Sequence, residues 1–174
     1  MEKDTLAAIS FIEKGRAKYD DNTDLITEEL NLYIAQGKSD LLVDKLNKAI
    51  ELNGSNEILY YNRGTLFEQR KEAEKAKGDY LKALEINPDY SDALYNLGVL
   101  YFNSATVINN EMNKLDMDQQ KKYDELKAKR DKIFNDALPN FERVVEKNPK
   151  DRHTLEALKQ IYLITNNTEK LNEV

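Results

Sequence analysis

The chain has 174 residues, of which 40% are apolar and 33% charged. That length suits one domain or a short array of small units, and the polarity lies within the range of folded chains. With 26 Lys and Arg against 32 Asp and Glu, the net charge of -6 argues against nucleic acid as the main partner. There are no cysteines and one histidine, His153, so disulfides, thiolate chemistry and Cys-based metal sites are excluded. No apolar run reaches the roughly 18 residues of a membrane span, and no signal peptide opens the chain.

Helical spacing runs through the whole sequence. Near the start, Ala8, Ile12 and Gly15 stand at helical steps. Asp20-Asp21-Asn22 resembles a piece of a calcium loop but lacks the Gly and the distal Glu, so it reads as a helix-terminating turn. Leu41-Leu42-Val43, Leu46, Ala49 and Ile50 form an apolar stripe, as do Ala76, Tyr80, Ala83, Leu84 and Ile86 with Leu81. Strand alternation is nowhere sustained, and the predicted fold class is all-α.

The sequence repeats itself. Tyr61 to Tyr95, Asn62 to Asn96, Gly64 to Gly98 and Leu66 to Leu100 are each 34 residues apart, and so are Leu46 to Tyr80 and Ala49 to Ala83. Ala76 to Ala137, Asn87 to Asn148 and Pro88 to Pro149 are 61 apart, which is 34 plus 27. A third unit therefore carries about 27 extra residues between Gly98 and Ala137.

The insertion reads as helix. Tyr101, Ala105, Ile108, Met112 and Leu115 alternate steps of four and three. So do Tyr123, Leu126, Arg130, Ile133 and Ala137 on the return. This is the seam of an antiparallel hairpin, projecting roughly 20 Å beyond an ordinary unit. Asp116 or Asp118 is expected to cap the return helix, and the Arg130 head to reach water past a packed stem. The flanking Lys121, Lys122, Lys127, Lys129 and Lys132 are matched by nearby acids and read as a solvated mixed-charge face.

These features resemble the tetratricopeptide repeat. Gly64, Phe67, Ala76, Tyr80, Ala83 and Pro88 fit its small, aromatic, Ala and Pro positions, and Gly98, Tyr101, Ala137, Phe141, Val144 and Pro149 fit them again. The resemblance implies an array with a right-handed twist, in which stacked helical pairs bury one core. It divides the chain into a partial repeat at 4–22, repeats at 23–56, 57–90 and 91–151, and a partial repeat at 152–174. An array that starts and stops in mid-repeat reads as a segment of a longer protein, with end faces able to self-associate.

No catalytic motif occurs, and no cofactor or metal is implied; His153 reads as a solvated helix-start residue. In the resembling family the first helices of successive repeats line a concave groove. That implies a ligand-binding set of Asn31, Tyr61, Asn62, Thr65, Tyr95, Asn96, Phe102 and Asn103. Asn amides can serve a peptide unit, and Tyr rings add apolar area with a polar tip. The family's clamp for acidic chaperone tails lacks its cations here, since Thr27, Asp92 and Asn96 occupy the basic positions. Asp24, Glu28, Asp92 and Glu156 would repel carboxylates. The expected function is a non-catalytic scaffold for a protein or extended peptide, neutral or basic. A structural spacer or self-association module, and an accessory domain of a larger enzyme, are the alternatives. Both Asn62 and Asn96 are expected to be exposed.

Overall fold

The computed structural model describes residues 2–19, 22, 25, 28–29, 32–33 and 36–173, with side chains from residue 7 onward. Among the described residues eight helices are delimited: α1 (Glu2–Lys18), α2 (Ser39–Leu52), α3 (Glu57–Gln69), α4 (Ala73–Ile86), α5 (Ser91–Met112), α6 (Gln120–Lys147), α7 (Arg152–Ile164) and the single turn α8 (Thr168–Leu171). Leu25, Glu28, Glu29, Leu32 and Tyr33 are also helical, and no strand occurs among the described residues. The protein is all-α. It divides into two compact units, residues 1–88 and 89–174.

Local chemistry sets the helix ends. Asn56 accepts a hydrogen bond from the Ile58 amide at 3.0 Å, and Asp151 accepts one from Thr154 at 2.9 Å, satisfying amides at the starts of α3 and α7. Three turns share one geometry. Gly37, Lys71 and Asn166 have φ of 66°, 61° and 58°, and the following amides of Lys38, Glu72 and Asn167 each bond the carbonyl five residues back at 2.8 Å. This left-handed closure ends a helix by satisfying its last carbonyls. Gly37 and Lys71 are 34 residues apart, and the next such position falls on Ala105. Ala105 lies fully buried inside α5, so there the chain runs on as helix instead of turning.

In the first unit, Tyr33, Leu42, Leu46, Leu59 and Leu66 form the core. Arg63 ties three helices together. It bonds both carboxylate oxygens of Asp79 on α4, at 2.8 and 2.7 Å, and Asn47 on α2 at 2.7 Å. Leu41 and Leu81, although part of the apolar stripes, are 48% and 44% exposed.

In the second unit, α5 and α6 form an elongated helical hairpin, and α7 closes it. Ala105, Phe134, Ala137, Phe141, Leu158, Ile161 and Tyr162 form its core. Ile108 and Met112 carry the seam outward on α5. On α6 it frays toward the tip, where Tyr123 is 38% exposed. Two expectations for this hairpin fail. Neither Asp116 nor Asp118 caps α6: it starts one residue past Gln119, whose side chain accepts from the Asp116 amide at 3.2 Å. Arg130 does not reach water. It is 6% exposed, because Asn109 on the facing helix accepts from its guanidinium at 2.8 Å and Asp131 accepts at 2.9 and 2.7 Å.

Candidate functional site

The residues implied as ligand contacts sit on α3 in the first unit and on α5 in the second, apart from Asn31, which lies outside the described residues. Asp24 and Thr27 lie outside them as well.

On α3, Tyr61 is half-buried and its ring stands 6.0 Å from that of Tyr80 on α4. The Thr65 hydroxyl, also half-buried, donates to the Tyr61 carbonyl at 3.1 Å. Tyr80 is fully buried, and its hydroxyl donates to Glu68 at 2.7 Å. A buried, hydrogen-bonded ring thus backs Tyr61 and fixes its plane. Asn62 corrects an expectation: it is 4% exposed, not a surface amide. Its neighbours at helical steps, Leu59 and Leu66, belong to the core shared with Leu42 and Leu46 of α2. Asn62 lies on that buried stripe, so α3 turns it inward.

On α5 the same arrangement recurs. Tyr95 is half-buried, with its ring 6.2 Å from that of Phe141 on α6. Asn96 is half-buried, Phe102 rests 5.6 Å from Phe134, and Asn103 is exposed. Each unit therefore presents a tyrosine braced from behind by an aromatic of the following helix. The polar group beside it is Thr65 in the first unit and Asn96 in the second.

Two concave surfaces have no counterpart in the sequence-derived set. In the first unit a cavity of about 330 Å³ is bordered by Glu13, Arg16, Glu29 and Lys45. Its charges answer one another: Lys45 reaches Glu13 at 2.9 Å and Glu29 at 3.3 Å, and Arg16 reaches Glu29 at 3.2 Å. In the second unit a cavity of about 420 Å³ lies among Glu142, Glu146, Tyr162, Lys170 and Glu173. There the Tyr162 hydroxyl donates to Glu142 at 2.9 Å. Burial first, then the Glu142 carboxylate, push the Tyr162 phenol above its ordinary range. Each lining brings together segments far apart in sequence, Glu13 with Lys45 in the first and Glu142 with Glu173 in the second, so local spacing gave no sign of either. His153 is exposed at the start of α7. Among the described residues no cluster of three His, Asp or Glu is placed to hold a metal ion, and no helix is long and apolar enough to cross a membrane.

Profiles described as tetratricopeptide repeat match residues 58–90 and 79–124. No curated protein matches the chain. Among solved structures, that of MamA protein is similar over 99% of this chain and 79% of its own, at 16% identity and a TM-score of 0.62. A Bacteroides ovatus protein aligns over 95% of this chain and 92% of its own, at 18% identity and a TM-score of 0.65. The first TPR domain of Spaghetti, solved with the HSP90 peptide SRMEEVD, aligns over 82% of this chain and 94% of its own, at 22% identity and a TM-score of 0.54. Likeness at these identities concerns the fold.

Proposed function

Because this chain is a tetratricopeptide repeat protein, we propose that it is a non-catalytic scaffold that binds a protein or an extended peptide through the first helices of its repeats. The observation that carries the reading is the recurrent braced tyrosine. Tyr61 backed by Tyr80 and Tyr95 backed by Phe141 present half-buried rings at 6.0 and 6.2 Å. A ring held in place before binding loses little conformational entropy on contact, so it suits recognition. Thr65, Asn96 and Asn103 supply uncharged hydrogen-bonding groups on the same helices. Asn62 leaves the contact set because it is buried.

The ligand we assign is neutral or basic. Spaghetti's first TPR domain binds a peptide ending in acidic residues. Here α5 carries Asp92 in its first turn and no Lys or Arg along its length. A carboxylate on this helix would be desolvated with no cation to meet it.

The test is an array of short neutral, basic and acidic peptides, with SRMEEVD in the acidic set, probed with the whole chain. Neutral or basic peptides should be retained, and Tyr95→Ala with Asn96→Ala should weaken retention about tenfold, the loss of roughly one hydrogen bond and its apolar contact. Retention of acidic peptides alone, or retention indifferent to the double variant, refutes the assignment.

A further inference from the structure

The two cavities occupy the same place in their repeats. Tyr33 and Tyr162 stand 129 residues apart, three repeats of 34 with the 27-residue excess, and so do Glu13 and Glu142. The backbone keeps that register. Each tyrosine carbonyl accepts, at 2.8 Å, from the amide five residues on, past a left-handed Gly37 or Asn166. Both tyrosines are buried, and each donates its hydroxyl to its glutamate, Tyr33 to Glu13 at 3.3 Å and Tyr162 to Glu142 at 2.9 Å. In the first unit an ammonium sits on this pair. Lys45 Nζ donates to the Tyr33 oxygen, to Glu13 at 2.9 Å and to Glu29 at 3.3 Å. With Arg16 on Glu29, two acids meet two cations. In the second unit the Arg16 position holds Val145, and the Lys45 position falls on Val174, outside the described residues. Three acids, Glu142, Glu146 and Glu173, face Lys170 alone, and Lys170 is ion-paired with Glu173 at 3.2 Å. Glu142 accepts only the Tyr162 hydroxyl, and Glu146 has no hydrogen bond or ion pair.

We propose that the cavity between α6, α7 and α8 seats a lysine side chain of a bound protein or peptide, its ammonium taking the place that Lys45 fills in the first unit. Three features select that occupant. The first is charge: the acids outnumber the cation, and a carboxylate ligand would be repelled. The second is the template within the chain. An ammonium has three donors, which suits the Glu142 and Glu146 carboxylates and the Tyr162 oxygen as Lys45 suits Glu13, Glu29 and Tyr33. Burial and the Glu142 charge keep the Tyr162 phenol protonated, so it goes on holding Glu142 while its oxygen accepts. The third is the remaining lining. Val145, Leu158 and the Tyr162 ring are apolar, a surface for the four-carbon stem that a hydrated metal ion would not use. None of the described residues forms a cluster placed to hold a metal. The cavity shares no residue with the contact set on α3 and α5, so this site is independent of that one.

The probe is the peptide acetyl-Ala-Ala-Lys-Ala-Ala-amide, titrated into the full chain and followed by backbone amide NMR. Its norleucine counterpart keeps the stem without the charge, and calcium chloride supplies a bare cation. The lysine peptide should give saturable shifts at the Val145, Leu158 and Tyr162 amides, in about the millimolar range expected for one anchored side chain. The norleucine peptide should bind about tenfold more weakly, for loss of the charge-assisted hydrogen bonds. Glu142→Gln combined with Glu146→Gln should weaken the lysine peptide by a similar factor while keeping an acceptor for the Tyr162 hydroxyl. Val145→Arg supplies from within the cation that Arg16 supplies in the first unit, and should abolish binding with unchanged circular dichroism. Tyr95→Ala with Asn96→Ala should leave the titration as it is, so the two sites can fail separately. No saturable shift, an equal response to norleucine or to calcium, or binding that survives Val145→Arg overturns the proposal.

Discussion

Gly98 lies against the ring of Phe141 so closely that a Cβ on it would stand 2.7 Å from Cε1. Gly64 bears the same relation to Tyr80, at 2.8 Å. The first pair is separated by 43 residues and the second by 16, a difference of 27. The longer hairpin therefore adds residues without altering the contact at its base. Gly98→Ala should force the Phe141 ring aside and cost about 1–3 kcal/mol. Adding Phe141→Leu should recover part of the loss. Thermal denaturation of the three variants measures both, and a Gly98→Ala protein as stable as the parent would show that the ring yields freely.

The left-handed turn at Lys71 offers a gain. Its φ of 61° strains a side chain, and its counterpart 34 residues earlier is Gly37. Lys71 is exposed. Lys71→Gly should stabilise the protein by about 0.5–1 kcal/mol, read as a higher urea midpoint, despite the greater freedom of glycine in the unfolded chain. A lower midpoint would mean that the unfolded-state entropy outweighs the relief.

Arg130 and Asn109 are bound across the hairpin at 2.8 Å, with Arg130 only 6% exposed. Asn109→Leu should leave one guanidinium donor unanswered at a cost of about 1–3 kcal/mol. Combining it with Arg130→Met should cost less than the sum of the two single changes, since the unpaired charge disappears. A double-mutant cycle by urea denaturation gives the coupling; strict additivity would show that water already serves this guanidinium.

Deleting residues 106–132 removes 27 residues and joins Ala105 to Ile133. The join falls between two contacts across the hairpin, Phe102 with Phe134 and Asn109 with Arg130. The shortened chain should keep a cooperative thermal transition and its helical circular dichroism, scaled for length. Loss of the transition would show that the projecting part of the hairpin is needed to fold its base.

Asp151 carries a pH dependence. The Thr154 amide, bonded to it at 2.9 Å, holds its carboxyl below the ordinary value of 3.8. A lowered carboxyl stabilises the fold above its unfolded value, and that contribution is lost as pH falls through the folded value. Asp151→Ala should therefore cost about 0.5–2 kcal/mol at neutral pH. The gap from the parent protein should narrow only below about pH 4. An equal gap at pH 3 and pH 7 would mean that the charge contributes nothing.

The sequence by itself determined the elements whose causes are local or periodic. The 34-residue recurrence of Tyr, Gly and Leu fixed which helices exist, and the 27-residue excess placed the hairpin. Gly64 and Gly98 were legible as close contacts because a helix pair needs a small residue facing a large one. Only the tertiary structure decided the rest, because it depends on what a helix face meets. Asn62 and Asn96 occupy equivalent positions in sequence, yet Asn62 is buried on a stripe whose neighbours join the α2 core while Asn96 is half-exposed. Arg130 looked like a side chain bound for water until Asn109, 21 residues away, proved to lie opposite it. Periodicity tells which side of a helix is apolar; the partner across that side, and the polar groups it brings, come from residues distant along the chain.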